Sequence, residues 1–425
     1  MKYFLPIVGC LLITIPGWSQ LSCRSFDYRQ QQLSLHPALA SALEANEQFT
    51  RRQLASVEVN GAAPARGGSI SSPGITIPVV VHVIYNTAQQ NISDAQIRSQ
   101  IDVLNRDYQK HNPDTANIPA YYRSMAADCG FQFVLAGLDT NGKATTGIVR
   151  RHTNIVAFSI ADDMKFSVRG GDNGWDRERY LNIWVCNLEG NVLGYSSLVG
   201  GPKETDGVVV LFTAFGTTGT ATTPYNLGRT ATHEIGHWLN MIHIWGDADC
   251  GDDQVGDTPP QSQATYGDPT GIVLSCGNTP YGNMYMDYMD FTDDLGMHMF
   301  TLGQRDRMRT LFAQGGFRYA LLSSPAASVA AISTDTPTEG AATGMRIQAM
   351  TLYPNPAVSR VMVKMSDQGC LGALLEVYDR MGQRVMASRI TDLNFGLDVS
   401  GLSSGIYFIR INDGKAASGN TFVKL

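Results

Sequence analysis

The sequence predicts two folded units in series: an α/β (α+β) domain of roughly 260 residues on a mixed sheet, and a small C-terminal β-sandwich. Three observations carry this. β-Branched, strand-like runs alternate with helical periodicity from residue 77 to about residue 313. A turn-rich stretch of small residues fills 321–347. Beyond it come only short alternating apolar runs.

Taken in order, Met1-Lys2, a short apolar run and Trp18-Ser19-Gln20 have the form of a secretory signal peptide over 1–19. Cys10 would suit a lipoprotein signal instead. No stretch approaches the roughly eighteen apolar residues of a spanning helix, so no transmembrane segment is expected. Residues 20–52 are polar and weakly helical and read as a pro-segment, with the main folded domain placed at 53–320. A Gly/Pro/Ser stretch covers 61–74. Ile77 to Tyr85 is a buried strand by its β-branched run. Ser93 caps a helix whose apolar positions Ile97, Ile101, Leu104 and Tyr108 fall at helical spacing. Further strands are expected over 131–138, 180–188 and 207–212. Asn226 or Thr232 opens the next helix, and a last one runs from Leu302 to about Ala313. After a linker at 321–347, residues 348–425 show the alternation of Val361 to Met365, Leu374 to Tyr378 and Gly405 to Ile411, with a turn at Asp379 to Gly382. About seven short strands there suggest the β-sandwich.

With 43% hydrophobic and 16% charged residues, the 425-residue chain can fill both units. A net charge of −6 gives no basic patch, so neither nucleic acid nor an anionic membrane is an expected partner. Export admits disulfides. Apart from Cys10 the cysteines are Cys23, Cys129, Cys186, Cys250, Cys276 and Cys370, and their pairing is open on sequence alone.

The chemistry concentrates in His233-Glu-Ile-Gly-His237-Trp-Leu-Asn-Met-Ile-His243. His233 and His237 stand four apart, one helical turn on one face, and can aim two imidazoles at one ion. His243 is too far along for that face, so the chain must turn back near Asn240, a residue tolerant of left-handed angles. Three histidines plus a water is the set of a catalytic zinc with an open position. Glu234 stands where its carboxylate can take that water's proton as general base. The short form His-Glu-x-x-His would arise by chance in roughly one such chain in a hundred, and the third histidine makes chance rarer still. Gly236 reads as room for close packing under the metal.

With its flanking Ile244-Trp-Gly-Asp247, this motif resembles the pappalysin family of metzincin zinc metallopeptidases. The resemblance extends to Val80 to Asn86, Asn182 to Val185, Asp253 to Pro259 and Phe300 to Met308, and covers roughly residues 75 to 315. It implies a secreted endopeptidase acting on proteins or peptides. It also implies a methionine turn beneath the metal, for which Met286 and Met289 offer two registers. Met289 fits better, because Met297 to Thr301 then falls in step with the family pattern. That register puts Phe291 where relatives carry a tyrosine. It makes Asp294 the acid of a pocket for Arg or Lys after the scissile bond. By the same resemblance Cys250 pairs with Cys276; Cys129 and Cys186 flank separate strands as candidates for free, buried thiols, and the pairing of Cys129, Cys186 and Cys370 stays open. Asp253, the Val255 carbonyl and Thr258 form a Ca²⁺ site, and Cys23 is a latency switch that fills the open metal position. A taste for Arg predicts self-processing at Thr50–Arg51 or Arg51–Arg52. At the other end Leu352 to Ala357, Gly382 to Val385 and Val399 to Ile409 resemble the sorting domain of type IX secretion. This implies the type IX machinery as a partner and a secreted or cell-surface location. A carbohydrate- or matrix-binding module is the other use of such a sandwich. The rival reading of the whole is an inactive secreted adhesin on a metallopeptidase scaffold.

Overall fold

The computed structural model describes residues 22–59, 74–327, 351–365, 371–372, 374–379, 383–412 and 417–425. The expected signal peptide, the stretch 60–73, most of the expected linker and Cys370 lie outside them. The chain divides into two units, Met1–Ser333 and Thr334–Leu425.

The first unit opens with a two-residue strand, β1 (Ser22–Cys23), and two helices, α1 (Ser25–Leu35) and α2 (Leu39–Val59). α2 continues past residue 52, so the expected domain boundary falls inside a helix. Thr50 on it is fully buried, which places both expected self-processing bonds in packed helix. The β-branched run then forms β2 (Ile75–Tyr85), whose side chains are buried on both faces as in parallel sheets. α3 (Asp94–Tyr108) follows, with the Ser93 hydroxyl accepting the Gln96 amide as its cap. Its Ile97, Ile101, Leu104 and Tyr108 pack onto the sheet.

β3 (Phe131–Leu135) and β4 (Ile148–His152) pair in succession along one edge of β2. β5 (Leu181–Cys186), β6 (Val192–Ser196) and β7 (Val208–Leu211) complete the sheet; β5 and β7 are shorter than the stretches 180–188 and 207–212 expected for them, and β6 has no counterpart among the expected strands. The order is β1-β6-β7-β5-β2-β3, and the β6–β7 contact alone among these is antiparallel. Beyond lie α4 (Arg229–Trp238), the short pair β8 (Tyr266–Gly267) and β9 (Phe291–Thr292), and α5 (Leu302–Thr310), closed by a capping box between Thr301 and Gln304. α4 starts after Gly228, at neither Asn226 nor Thr232. Residues expected to begin the linker instead finish this unit: Leu321 and Ala326 are buried, and the Gly137 amide donates to the Ala326 carbonyl.

The strand pairs described in the second unit are antiparallel, with one isolated parallel bridge between Ala357 and Lys424. β10 (Thr351–Tyr353), β11 (Arg360–Lys364) and β14 (Asn394–Asp398) form one sheet. β12 (Leu374–Tyr378), β13 (Arg384–Arg389), β15 (Gly405–Asn412) and β16 (Ala417–Lys424) form the other. Val361, Val363 and Leu397 of the first meet Leu375, Val377, Ile409 and Phe422 of the second in one core, which makes a sandwich.

Candidate metal centre

α4 is short, and its N-terminus has no local side-chain cap. Asp294 supplies one from a distance: its Oδ2 accepts the amides of Leu227 at 2.7 Å and Arg229 at 3.3 Å, placing negative charge at the positive end of the helix. Arg229 is buried between Asp107 and Asp114 and donates to the Tyr288 hydroxyl. At the other end Asn240 takes φ of 72°, and the Met241 amide reaches back to the Gly236 carbonyl at 3.0 Å. This left-handed turn swings His243 round to the face of the helix that carries His233 and His237.

The three Nε2 atoms converge, His237 lying 3.1 Å from both His233 and His243. Each outer nitrogen is occupied. His233 Nδ1 donates to the Tyr288 carbonyl at 2.6 Å, His237 Nδ1 to the Met241 carbonyl at 2.9 Å, and His243 Nδ1 pairs with Asp247. Three nitrogens ringing a tetrahedral zinc at roughly 2.1 Å would stand roughly 3.4 Å from one another, close to the separations here, so the donor set fits that ion. Burial, with the neighbouring imidazoles, holds His233 well below the usual histidine range and brings His237 down to about 3, which keeps them neutral.

Glu234 is buried beside them, and burial pushes its carboxyl up to about 8. Its Oε2 accepts the Ser25 hydroxyl at 2.9 Å, and its Oε1 is buried without a hydrogen-bond partner. Cys23 completes the cluster, with Sγ 3.5 Å from His237 Nε2 and 3.5 Å from Glu234 Oε2. β1 holds it there by pairing Cys23 with Gly194 of β6 in parallel register.

Met289 packs beneath α4, against Gly236. A Cβ added to Gly236 would lie 2.4 Å from the Met289 sulfur, whereas Met286 packs in a separate cluster with Met284 and Met299. Phe291 faces the histidines, its ring 4.8 Å from that of His243, while Tyr288 lies fully buried below. No phenol therefore stands at the Phe291 position. Asp294 lines a pocket with Ser22, Cys23, Tyr225, Thr230 and Phe291. Burial raises its carboxyl to about 7.

Asp253, Val255 and Thr258 are brought together too. The Thr258 hydroxyl lies 2.8 Å from both Asp253 Oδ1 and the Val255 carbonyl, and burial raises the Asp253 carboxyl to about 7. Cys250 and Cys276 form a disulfide, and Cys129 and Cys186 are free and buried. Sequence reasoning missed Ser25 and the part Arg229 plays, since neither carries a local signal. Asp247 stood in the quoted motif, but its hold on His243 needs the turn.

Residues 169–313 match the peptidase M43 family described as pregnancy-associated plasma protein-A. An extracellular metalloprotease of Pyricularia oryzae is 32% identical over 270 residues, 61% of this chain and 81% of that protein. The chain belongs to the pappalysin family. This pappalysin also resembles solved structures of mirolysin from Tannerella forsythia. The mature form in complex with a cleaved peptide is 48% identical, with TM-score 0.58, over 59% of this chain and 97% of that one. A promirolysin mutant is 44% identical, with TM-score 0.59, over 66% and 94%. The pappalysin is a metalloendopeptidase, and the family implies a catalytic metal. Residues 351–424 match the secretion system C-terminal sorting domain, which directs it by type IX secretion to the cell surface or beyond. Among the described residues no helix is long and apolar enough to cross a membrane.

Proposed function

We propose that the protein is a secreted zinc endopeptidase, made latent by residues 22–59 as its pro-segment, with His233, His237 and His243 holding the metal and Glu234 as general base. The observation that carries this is the convergence of three Nε2 atoms whose outer nitrogens are all tied, with a buried carboxylate beside them. When bound, zinc supplies an activated water and polarises the peptide carbonyl. Glu234 takes the proton of the attacking water and delivers it to the leaving nitrogen. Its Oε2, 3.5 Å from the Cys23 sulfur at the open position, is the atom placed for that work. Phe291 offers no hydrogen-bond donor at its position beside His243.

Cys23 supports latency because its sulfur joins the three histidines in one cluster, where it would close the open position. Asp294 supports a preference for Arg or Lys after the scissile bond: it is a buried carboxylate at the wall of the neighbouring pocket. If that pocket receives the residue after the cut, a substrate runs opposite to β1, and the pro-segment crosses the site backwards. Maturation by the same preference points to the bond before Arg66, the first basic residue after α2, in the stretch outside the described residues. Asp253, the Val255 carbonyl and Thr258 offer oxygens for part of a calcium shell. The sorting domain would engage the type IX machinery.

The test is Glu234→Ala in full-length protein. Metal analysis should find one zinc retained, while cleavage of a mixed peptide library falls by three orders of magnitude or more. Peptidase activity surviving in this variant would sink the assignment. In the unaltered protein, chelator-sensitive cuts before Arg or Lys support the Asp294 pocket, and cuts elsewhere discard it.

A further inference from the structure

Tyr28, on α1, is buried on the face of the sheet away from α4, with only 1% of its surface exposed. Its hydroxyl donates to Asp162 Oδ2 at 2.6 Å, and its ring lies 4.9 Å from that of Tyr195. Every other wall of this pocket belongs to the catalytic unit. Asp162 Oδ1 accepts the Tyr195 hydroxyl at 2.9 Å and the Lys165 ammonium at 2.8 Å. Lys165 is itself fully buried and donates to the Thr205 carbonyl at 2.9 Å, with its Nζ 5.0 Å from the Tyr195 ring and 5.3 Å from that of Trp184. These contacts do not involve residues 22–59, so the pocket is built without them.

Removing Tyr28 leaves an aromatic-walled hole and one consequence. Asp162 Oδ1 keeps both its donors, but Oδ2 loses its one hydrogen-bond donor among the described residues. A buried carboxylate oxygen without a donor is costly, and a side chain that restores the bond is favoured over its isostere that cannot. Tyrosine fits; phenylalanine fills the space and leaves the oxygen bare.

The location gives the pocket a place in the cleft. Ser22 and Cys23 line the Asp294 pocket, and Cys23 lies at the histidines. From there the chain continues through Ser25, Phe26 and Arg29, which line a cavity of about 450 Å³ with Ser196, Val199 and His237. Tyr28 is therefore reached on the opposite side of the metal centre from Asp294.

We propose that, once residues 22–59 depart, the pocket left by Tyr28 is a substrate subsite for a tyrosine side chain on the amino-terminal side of the scissile bond. This rests on the proposed function, in which the site cuts peptides after the pro-segment is released.

The experiment uses the full-length chain, allowed to process and checked by mass spectrometry for loss of residues 22–59. Peptides with one fixed cleavage site carry Tyr, Phe or Ala at successive positions before the cut, and kcat/KM is measured for each. At one position Tyr should exceed Phe by roughly tenfold, the discrimination of one charge-assisted hydrogen bond, with ratios near one elsewhere. Asp162→Asn should bring that ratio to within about twofold of one. Should this variant fail to fold, the ratio in the unaltered enzyme decides alone. Efficient, chelator-sensitive cleavage with no Tyr over Phe preference at any such position overturns the subsite and leaves the peptidase reading standing. Residues 22–59 still bound in a cleaving enzyme overturn it too. No chelator-sensitive cleavage at all overturns both.

Discussion

Gly236 shows how closely the metal helix lies on its floor. A methyl group there would meet the Met289 sulfur at 2.4 Å, far inside contact distance. Gly236→Ala gains ~1 kcal/mol of helix propensity and costs about 1–3 kcal/mol of overpacking. Thermal unfolding should show a net loss of roughly 1 kcal/mol, and zinc affinity should fall with it. An unchanged affinity would mean that Met289 moves freely. At this scale the sequence was most legible where chemistry is local: the three histidines and Glu234 sit within eleven residues, and their spacing alone fixes a geometry. Ser25 and Tyr28 were illegible because they act on residues 209 and 134 positions away. Nothing in their own neighbourhoods marks them.

Among the elements, α2 makes one ion pair to the catalytic unit, beside hydrogen bonds at Thr50 and Arg51. Glu47 meets the Arg307 guanidinium with both oxygens, at 3.1 and 2.6 Å, and Arg307 in turn donates to the Asn240 carbonyl in the turn after α4. Burial alone would raise the Glu47 carboxyl, but Arg307 and Arg51 outweigh it and hold it below the usual carboxylate value. A depressed acid contributes stability above its unfolded pKa, near 4.3, and loses it as pH falls through the lower folded value. Docking of α2 should therefore weaken below about pH 4. Limited proteolysis of the precursor should show α2 becoming cleavable as pH drops through that range. Glu47→Gln should expose it near neutrality, by on the order of 1 kcal/mol for a partly wet pair. Equal protection in variant and parent would remove the ion pair from the account. Element type was readable from periodicity, but element ends were not. Asn226 and Thr232 look like caps, yet the cap that operates is Asp294, more than sixty positions on.

Over the whole molecule, the two units carry separate cores and separate tasks. Deleting residues 334–425 should leave peptidase activity within about twofold, since no member of the centre lies there, while the protein accumulates short of the cell surface. Comparing activity in periplasmic and medium fractions checks this. The Cys250–Cys276 bridge closes a loop of 26 residues. Its replacement by serines should cost roughly 3 kcal/mol by loop entropy, seen as a lower denaturant midpoint. Two-unit organisation was visible from composition alone, because a linker and an alternating C-terminal stretch need no tertiary information. The reach of α2 past residue 52 was not, since its amphipathic pattern is weak and its partner is distant.

The N-terminal segment is fastened at several points spread along it: Cys23, Tyr28, Glu47 and Thr50. A single cut beyond Val59 severs none of them. The severed piece would stay seated, each contact holding the others in place at high effective concentration. Scission and switching-on are then separate events, the second governed by how far the loose fragment can drift before it rebinds. Where the enzyme is crowded, as on a secreting surface, fragments return. In open medium they would be lost, and on the proposed latency dilution itself would become the trigger.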